Sequence, residues 1–351
     1  MNKDIKLNNI KGLLIFCVVF GHQLSQFQTN FYGLYLFIYS FHMPLFILLS
    51  GYFAKRTSVK KAINIVIIYI IFQTLYRIFQ LLTKPGYDFQ LLFGVPYYHL
   101  WYLVSLACWY FIAVCLQKLK LKELPKLLLV LAAFVAGIIA RFYSEPVVDL
   151  MQVFHDDRYD THAFSYLRTL VFLPFFLLGF FLTKDHMQRL YSSLKRLPWI
   201  PVCSVCAVFV YFNVVDDTNT ERILKGSFGV DEMKGALVPV TVEMLACYAI
   251  ALFLCYMLLN LIKDKKCFLT KWGDHTLPIY LFHIFITKLI EKYGVFSGMK
   301  EWMLLPFLVL TTILIVSVLS SNKFINATHF LLKPYDILRN IGKKLKMGFQ
   351  L

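Results

Sequence analysis

Residues 31–53 read FYGLYLFIYSFHMPLFILLSGYF, a continuous run without a charged side chain. A helix of roughly 20 apolar residues crosses the ~30 Å hydrocarbon core of a bilayer, so this run is predicted to span a membrane. His42 falls near its middle, and Pro44 follows and frees the backbone carbonyl of Ser40. The pair predicts a kinked helix beside a histidine, a feature that is tolerated where the helix lines a cavity.

Similar apolar runs recur along the whole sequence. They predict an all-α, polytopic integral membrane protein with about ten transmembrane helices, organised as one transmembrane domain over residues 1–351. We find no internal repeat and no linker that would separate a soluble domain. The predicted spans cover approximately residues 11–27, 31–53, 63–83, 99–117, 127–143, 165–183, 199–216, 236–262, 276–290 and 302–320.

Composition and charge distribution support this class. Only 16% of the residues are charged, against about 25% in soluble proteins, which excludes an ordinary soluble enzyme. The net charge is +16, and the basic residues concentrate in alternate connections, including residues 55–61, 118–126, 184–196 and 263–271. This positive-inside pattern predicts a multi-pass protein of the cell membrane with both termini in the cytoplasm.

The basic residues are spread over several segments instead of one motif, which argues against nucleic-acid binding. The tail, residues 321–351, is also basic and is predicted to be cytoplasmic, where it could form an amphipathic helix on the inner leaflet.

Polar side chains at membrane depth are the candidate functional residues, because their burial in lipid is costly. They occur on several different predicted spans, which favours one shared polar cavity. A purely structural interpretation stays open, since a membrane histidine often bonds a neighbouring helix and Arg168 and Glu243 could form a supporting ion pair. The candidates are His22, His42, Arg77, Arg168, Glu243, Tyr280 and His283.

Several motifs, in order, resemble the membrane acyltransferase-three family. The most specific is the second-span sequence FHMPLF at residues 41–46, which continues to LSGYF at residues 49–53. NNIKG at 8–12 with VVFGH at 18–22 is similar to the first-span signature, and HLWYL at 99–103 to the start of the fourth span. RTL and FLPFF at 168–176 resemble the branch that is similar to fucose 4-O-acetylases. WG and TLPIY at 272–280, followed by His283, resemble the late motif.

The resemblance implies ten spans, both termini inside, and transfer of an acyl group, usually acetyl from acetyl-CoA, to sugar hydroxyls of surface glycans or lipid-linked precursors. It thus points to exopolysaccharide or capsule biosynthesis. It also implicates His22, His42 and the arginine-bearing third span, here Arg77, in catalysis. One position departs from the family: Asn8 stands where the family commonly has aspartate, so a carboxylate role beside Lys11 does not apply.

The expected chemistry needs a base for the sugar hydroxyl, and a histidine suits this task near neutral pH. His22 or His42 could be that base, a relay through an acetyl-histidine is also open, and Arg77 could stabilise the oxyanion or bind a phosphate. Acetyl-CoA enters as a substrate, and no bound cofactor or metal is expected. The remaining partners are a surface glycan or lipid-linked sugar and membrane lipid. The expected donor-binding residues are Lys11, Ser50, Lys55 and Arg56, and the expected acceptor or supporting residues are Trp101, Arg168, Glu243, Tyr280 and His283.

Two other functions remain as alternatives. A transporter or flippase for a glycan or lipid-linked sugar would also need many spans and a polar cavity at the midplane. A membrane-bound acyltransferase of a different type would use a single late histidine, here His283, as its catalyst.

Overall fold

The computed structural model describes residues 4–87, 93–155, 160–214 and 218–335, and within these ranges every regular element is a helix. This confirms the all-α fold class. The helices in chain order are α1 (Ile5–Leu24), α2 (Tyr32–Phe53), α3 (Val59–Thr83), α4 (Trp101–Gln117), α5 (Glu123–Phe142), α6 (Ser144–His155), α7 (Tyr166–Phe181), α8 (Lys184–Ser192), α9 (Trp199–Val214), α10 (Thr218–Lys225), α11 (Leu237–Leu261), α12 (Phe268–Asp274), α13 (Thr276–Lys292), α14 (Glu301–Leu319) and α15 (Asn322–Leu332).

Eight helical segments within the described ranges are long and apolar enough to cross a membrane, so the chain is a multi-pass membrane protein. They contain α1, α2, α3, α4, α5, α7, α11 and α14. Two predicted spans form shorter helices: α9 has 16 residues and α13 has 17. Charged Lys288, Glu291 and Lys292 lie in the last turns of α13, which shortens its apolar part. The number ten and the cytoplasmic termini stay predictions.

Helix α1 begins earlier than the predicted span, because its polar first turns are bonded within the protein. Asp4 caps the helix and accepts a hydrogen bond from the Leu7 amide at 3.0 Å. The side-chain amide of Asn8 donates to Asp274 Oδ1 at 2.9 Å, and that of Asn9 donates to two carbonyl oxygens in the connection before α12. These bonds remove the cost of burying two amides, so the helix extends to Ile5.

Helices α2 and α7 touch through a reciprocal pair of glycines. A Cβ atom added to Gly51 would lie 2.0 Å from the carbonyl oxygen of Phe176, and one added to Gly179 would lie 1.8 Å from that of Leu48. Real Cβ atoms do not approach so closely, so only glycine fits at either position. Small residues of this kind let the backbones of membrane helices come together where lipid supplies no hydrophobic force between helices.

The pair α1 and α12 repeats this arrangement. A Cβ atom on Gly12 would lie 2.0 Å from the carbonyl oxygen of Leu269, and one on Gly273 would lie 1.8 Å from that of Asn8. The two glycine contacts therefore fix the second span and the first span against different partners, and both spans carry a candidate histidine.

The bundle has two ends that we name by their content. The cavity end contains the α1–α2 connection, the segment before α4 and the residues from α10 to α11. The basic end contains the start of α1, the end of α2, and α8 and α12. The predicted tail helix is present as α15, which packs beside the start of α3: Asn64 donates to the Leu332 carbonyl at 3.3 Å and accepts from the Tyr335 amide at 3.2 Å. The rest of the predicted tail, residues 336–351, lies outside the described residues.

Candidate functional site

A polar cavity of about 460 Å³ lies between the spans at the cavity end. Helices α1, α2 and α7 contribute to its wall, together with residues 95–102 and 224–228. The cavity extends from Tyr98, which is 46% exposed, down to His42, which is 5% exposed. This confirms that polar faces of separate helices meet, and it gives a water-accessible route to a buried histidine.

His42 is held in one orientation by its own helix. Its Nδ1 atom lies 2.7 Å from the carbonyl oxygen of Ile38, and its ring packs edge-on against Tyr39 with a centroid distance of 4.9 Å. A carbonyl oxygen only accepts, so Nδ1 carries the proton and Nε2 of the neutral ring has the free lone pair. That is the state in which an imidazole can take a proton from a substrate.

Three further histidines form a cluster at the cavity wall, where His22 and His99 line the cavity and His283 lies behind them. The ring centroids of His22 and His283 are 5.2 Å apart, those of His99 and His283 are 5.2 Å apart, and those of His22 and His99 are 6.3 Å apart. The three residues come from α1, from the 3₁₀ turn before α4, and from α13. Residues separated by more than 180 positions in sequence thus meet in one place.

The cluster contains buried nitrogens without a hydrogen-bond partner among the described residues. They are Nδ1 of His22, both ring nitrogens of His99, and Nε2 of His283. Nδ1 of His283, in contrast, lies 2.8 Å from the Tyr280 carbonyl and 3.1 Å from the Ile279 carbonyl, so this ring presents its lone pair on the opposite side. Buried polar atoms are normally satisfied, and exceptions mark places where water or a substrate binds.

His99 was not singled out from the sequence, although it belongs to the HLWYL motif. Polar residues at the start of a span are common, so its position carried no signal by itself. In the structure it lines the cavity and is 2% exposed. Tyr280 donates a hydrogen bond to the His99 carbonyl oxygen, and the Tyr76 ring packs edge-on against the imidazole at 5.0 Å. Tyr280, predicted as a supporting residue, therefore also fixes the position of His99.

The polar side chains of α3 hold the segment that precedes α4. Gln73 donates to the Val95 carbonyl at 2.9 Å and accepts from the Tyr97 amide at 2.8 Å. Arg77 donates to Tyr87 Oη at 3.0 Å and to the Val95 carbonyl at 3.4 Å. Val95 lines the cavity, but Arg77 does not. This placement favours a positioning role for Arg77 over direct contact with the reacting atoms.

Arg168 lines the cavity from the first turn of α7. Its Nε donates to the Lys225 carbonyl at 3.1 Å, its Nη2 donates to Ser227 Oγ at 3.1 Å, and its Cζ lies 5.0 Å from the centroid of the Trp101 ring. Trp101 also lines the cavity, and its predicted acceptor or supporting role stays a prediction.

The described contacts of Arg168 are with Lys225, Ser227 and Trp101, so its pairing with Glu243 stays a prediction. Glu243 belongs to α11, whose neighbouring Met244 and Cys247 line a separate apolar crevice.

A short cover segment, residues 223–228, closes one side of the cavity and is anchored by two arginines. Arg168 bonds it as described above. Arg141 of α5, which is fully buried, donates to the Ile223 carbonyl at 2.7 Å and to the Phe228 carbonyl at 2.9 Å. Gly226 within the segment has a φ of +73°, and a Cβ there would lie 2.7 Å from the Phe172 ring. The cover segment therefore has a fixed conformation that requires glycine at its turn.

The expected donor-binding residues lie toward the basic end, apart from the cavity wall. Lys55 Nζ lies 4.4 Å from the centroid of the Tyr52 ring, and Lys11 Nζ lies 5.3 Å from that of Phe53, while Arg56 is exposed at the end of α2. None of these three basic residues lines the cavity.

Ser50 links the two regions. Its hydroxyl is 2.7 Å from the hydroxyl of Tyr102, and Tyr102 lines the cavity. The same serine donates to the Phe46 carbonyl at 2.8 Å. The Ser50–Tyr102 contact thus lies between the cavity and the basic end.

At the opposite end, the mouth of the cavity carries the pair Asp160 and His162. The Asp160 carboxylate accepts from the His162 backbone amide at 2.8 Å and lies 3.1 Å from its Nδ1 atom. The hydrogen bond to the His162 side chain lowers the pKa of Asp160, so this carboxylate is ionised at neutral pH.

Taken together, the cavity offers imidazole lone pairs, a guanidinium and aromatic faces in one water-accessible space, which suits proton transfer to and from a polar substrate. Within the parts of the chain that the structure describes, no group of three histidine, cysteine, aspartate or glutamate side chains is arranged to hold a metal ion.

Comparisons with known proteins agree with this chemistry. A family profile described as "Acyltransferase domain" matches residues 4–321. Nodulation protein NolL from Sinorhizobium fredii (strain NBRC 101917 / NGR234) is 43% identical over 65 residues, which is 17% of this chain and 18% of that protein. No solved structure matches the chain.

Proposed function

The chain belongs to the membrane acyltransferase-three family, and on that premise we propose that it transfers an acetyl group from acetyl-CoA to a sugar hydroxyl of a surface polysaccharide or its lipid-linked precursor. Membership gives the general activity, acyl transfer within a membrane. The acetyl donor and the sugar acceptor are the proposal.

One observation carries the proposal: His22 and His42, on adjacent spans, line the same cavity, which is open at one end to water. Sugar hydroxyls are too weakly acidic to react at neutral pH without a base, and a correctly placed general base contributes about 10²- to 10⁴-fold in rate. The fixed proton on Nδ1 of His42 leaves Nε2 free to act, and His22 lies nearer the mouth, where a hydrophilic acceptor enters.

The reaction balances with these residues alone. The sugar hydroxyl gives its proton to the imidazole of His42 or His22, and its oxygen attacks the thioester carbonyl. A tetrahedral intermediate forms with a negative oxygen, which nearby donors stabilise. The carbon–sulfur bond then breaks, the thiolate of CoA takes the proton from the imidazolium, and the products are an acetyl ester and free CoA.

The donor would approach from the basic end. The phosphates of CoA are anionic, and Lys11, Lys55 and Arg56 supply positive charge there. The pantetheine arm would reach the cavity past the Ser50–Tyr102 contact, which must open to admit it. The acceptor would enter at the opposite end, so the two substrates would meet between His42 and His22.

The test uses membranes or detergent-purified protein with acetyl-CoA labelled in the acetyl group. We expect free CoA and labelled ester only when both the protein and a glycan acceptor are present. A transporter would bind or move the glycan without releasing CoA, so absence of CoA release with an acceptor extracted from the same cells would reject the proposal.

Substitutions of the two histidines then show which of them is the general base. His42→Ala and His22→Ala are each expected to lower kcat about 10²- to 10⁴-fold at normal protein levels. Because the cavity is open to water, added imidazole should partly restore the variant that lacks the base. Tyr39→Phe is a matched control, since it changes a neighbour of His42 without removing an imidazole. Full activity in both histidine variants would show that this site is wrongly assigned.

A further inference from the structure

Arg168 is a cation inside the cavity whose described partners are all neutral. A guanidinium has five N–H groups, and two of those on Arg168 are used, by the Lys225 carbonyl and the Ser227 hydroxyl. Its third contact is the face of the Trp101 ring. Three N–H groups and the full positive charge thus remain available on the wall of the cavity.

Two acidic side chains near this part of the cavity already have other partners. Asp160, at the mouth, bonds to His162, and Glu221 of α10 bonds to the Lys225 ammonium. No carboxylate is among the described hydrogen-bond and ring contacts of Arg168. A charge inside a membrane-spanning bundle is costly to bury, and such residues usually pair with an opposite charge or act on a charged ligand.

The surroundings of Arg168 favour a sugar as that ligand. The Tyr98 and Phe228 rings line the same cavity and offer flat apolar surfaces to the carbon face of a pyranose. A planar guanidinium already oriented by two hydrogen bonds is suited to a carboxylate or phosphate, which it can bind through two parallel N–H···O bonds. The cavity thus combines a stacking surface with one fixed positive charge.

We propose that the acceptor carries a fixed negative charge, either the carboxylate of an acidic sugar or the phosphate of a lipid-linked sugar, and that Arg168 binds this anion. The inference deepens the proposed function and rests on it. Arg168 then selects and orients the acceptor, while the histidines handle the proton.

Arg141 provides a matched control for the structural role of Arg168. Arg141 is buried and Arg168 is half-buried, and both anchor the cover segment: Arg141 through the carbonyl oxygens of Ile223 and Phe228, Arg168 through the Lys225 carbonyl and the Ser227 hydroxyl. Arg168 lines the cavity and Arg141 does not. Replacing either one loosens the cover segment, but only replacing Arg168 removes the positive charge from the acceptor site.

The kinetic test compares three soluble acceptors: methyl glucoside, glucuronic acid and glucose 1-phosphate. In the wild-type protein we expect a higher kcat/KM for at least one charged sugar than for the neutral one, and the preferred sugar identifies the anion. Arg168→Gln should lower that charged-to-neutral ratio by roughly 10- to 100-fold, the value of one or two charge-assisted hydrogen bonds. Arg168→Lys should have a smaller effect, and Arg141→Gln should lower all rates while keeping the ratio.

A binding measurement separates this inference from the reaction itself. The same sugars are added to purified protein, and the thermal unfolding midpoint is followed at low and high salt. A charged sugar should raise the midpoint of wild-type protein and of Arg141→Gln, and the rise should be lost in Arg168→Gln.

Three results would overturn the inference. The first is equal binding and equal rates for neutral and charged sugars. The second is a uniform loss of kcat for all acceptors in Arg168→Gln, which would mean that the arginine stabilises the oxyanion. The third is an increase in KM for acetyl-CoA alone, which would mean that Arg168 binds an anionic group of the donor instead of the acceptor. If charged sugars bind through Arg168 but CoA is never released, the proposed function fails and the anion site remains.

Discussion

The imidazole rings of His22 and His283 lie nearly parallel, with an interplanar angle of 26° and a centroid distance of 5.2 Å. His22 lines the cavity, whereas His283 lies behind it with Nδ1 bonded to the backbone of its own helix. The arrangement places His22 where a substrate can reach it and His283 where it can only influence His22.

Because His22 lines the cavity and His283 lies behind it, substitutions of the two residues are predicted to lower activity by different amounts. His283→Gln removes the ring that packs against His22 and should lower kcat roughly tenfold, which corresponds to about 1.4 kcal/mol, while His22→Ala should lower kcat far more. Rates of CoA release in purified variants measure both. The reverse order, with His283 essential and His22 dispensable, would support the alternative in which a single late histidine is the catalyst.

A substitution of His99 should affect stability and activity in different ways. Its two ring nitrogens are buried without a partner among the described residues, so His99→Phe keeps the ring and removes two unsatisfied polar atoms. We expect the free energy of unfolding to rise by up to about 1–3 kcal/mol, or to stay unchanged, while activity falls. Thermal unfolding and CoA release on the same preparation provide the comparison. A variant that is fully active would mean that His99 only fills space.

The glycine contact between α2 and α7 should be intolerant of a methyl group. Gly51→Ala and Gly179→Ala each place a Cβ about 2 Å from a carbonyl oxygen, so the helices must separate, at a cost of about 1–3 kcal/mol. The unfolding midpoint in detergent should fall for both. Gly21→Ala is the control, because the nearest atom to its added Cβ is Tyr39 Cε2 at 3.4 Å, an ordinary contact. Equal midpoints in all three variants would contradict the close contact between the two helices.

The donor site should depend on charge at the basic end. Lys55→Gln combined with Arg56→Gln should raise KM for acetyl-CoA by roughly two- to fivefold per charge, as expected for exposed ion pairs worth about 0.2–1 kcal/mol each. The difference from wild type should shrink at high salt. Lys292→Gln, an exposed lysine at the cavity end, is the matched control. If only the control variant changes KM for acetyl-CoA, the donor enters from the other end.

Sequence reasoning found the residues whose chemistry is out of place in lipid. His22 and His42 were predicted because a polar side chain at membrane depth stands out against an apolar run, and the structure brings both to one cavity. The same reasoning predicted the helices themselves, since their length and composition are set by the bilayer.

Other features could not be predicted, because they depend on backbone atoms from distant segments. Arg141 and Arg168 both bond carbonyl oxygens of the cover segment, and a carbonyl is present at every residue, so no sequence pattern marks it. The position of Arg77 could not be predicted for the same reason, because it bonds the Val95 carbonyl in the segment before α4. Asn8 and Asn9 extend α1 for a similar reason, through bonds to residues 263–274.

The anchoring of the cover segment leaves its side chains open to replacement. Ile223, Lys225 and Phe228 are held by their carbonyl oxygens, so exchanging their side chains keeps all four arginine hydrogen bonds as long as Ser227 is retained. Under the proposed function, related proteins can acquire a different acceptor preference by substitutions in this six-residue stretch at positions other than Gly226, without disturbing the membrane helices. Grafting that stretch between family members offers a direct way to engineer acceptor choice.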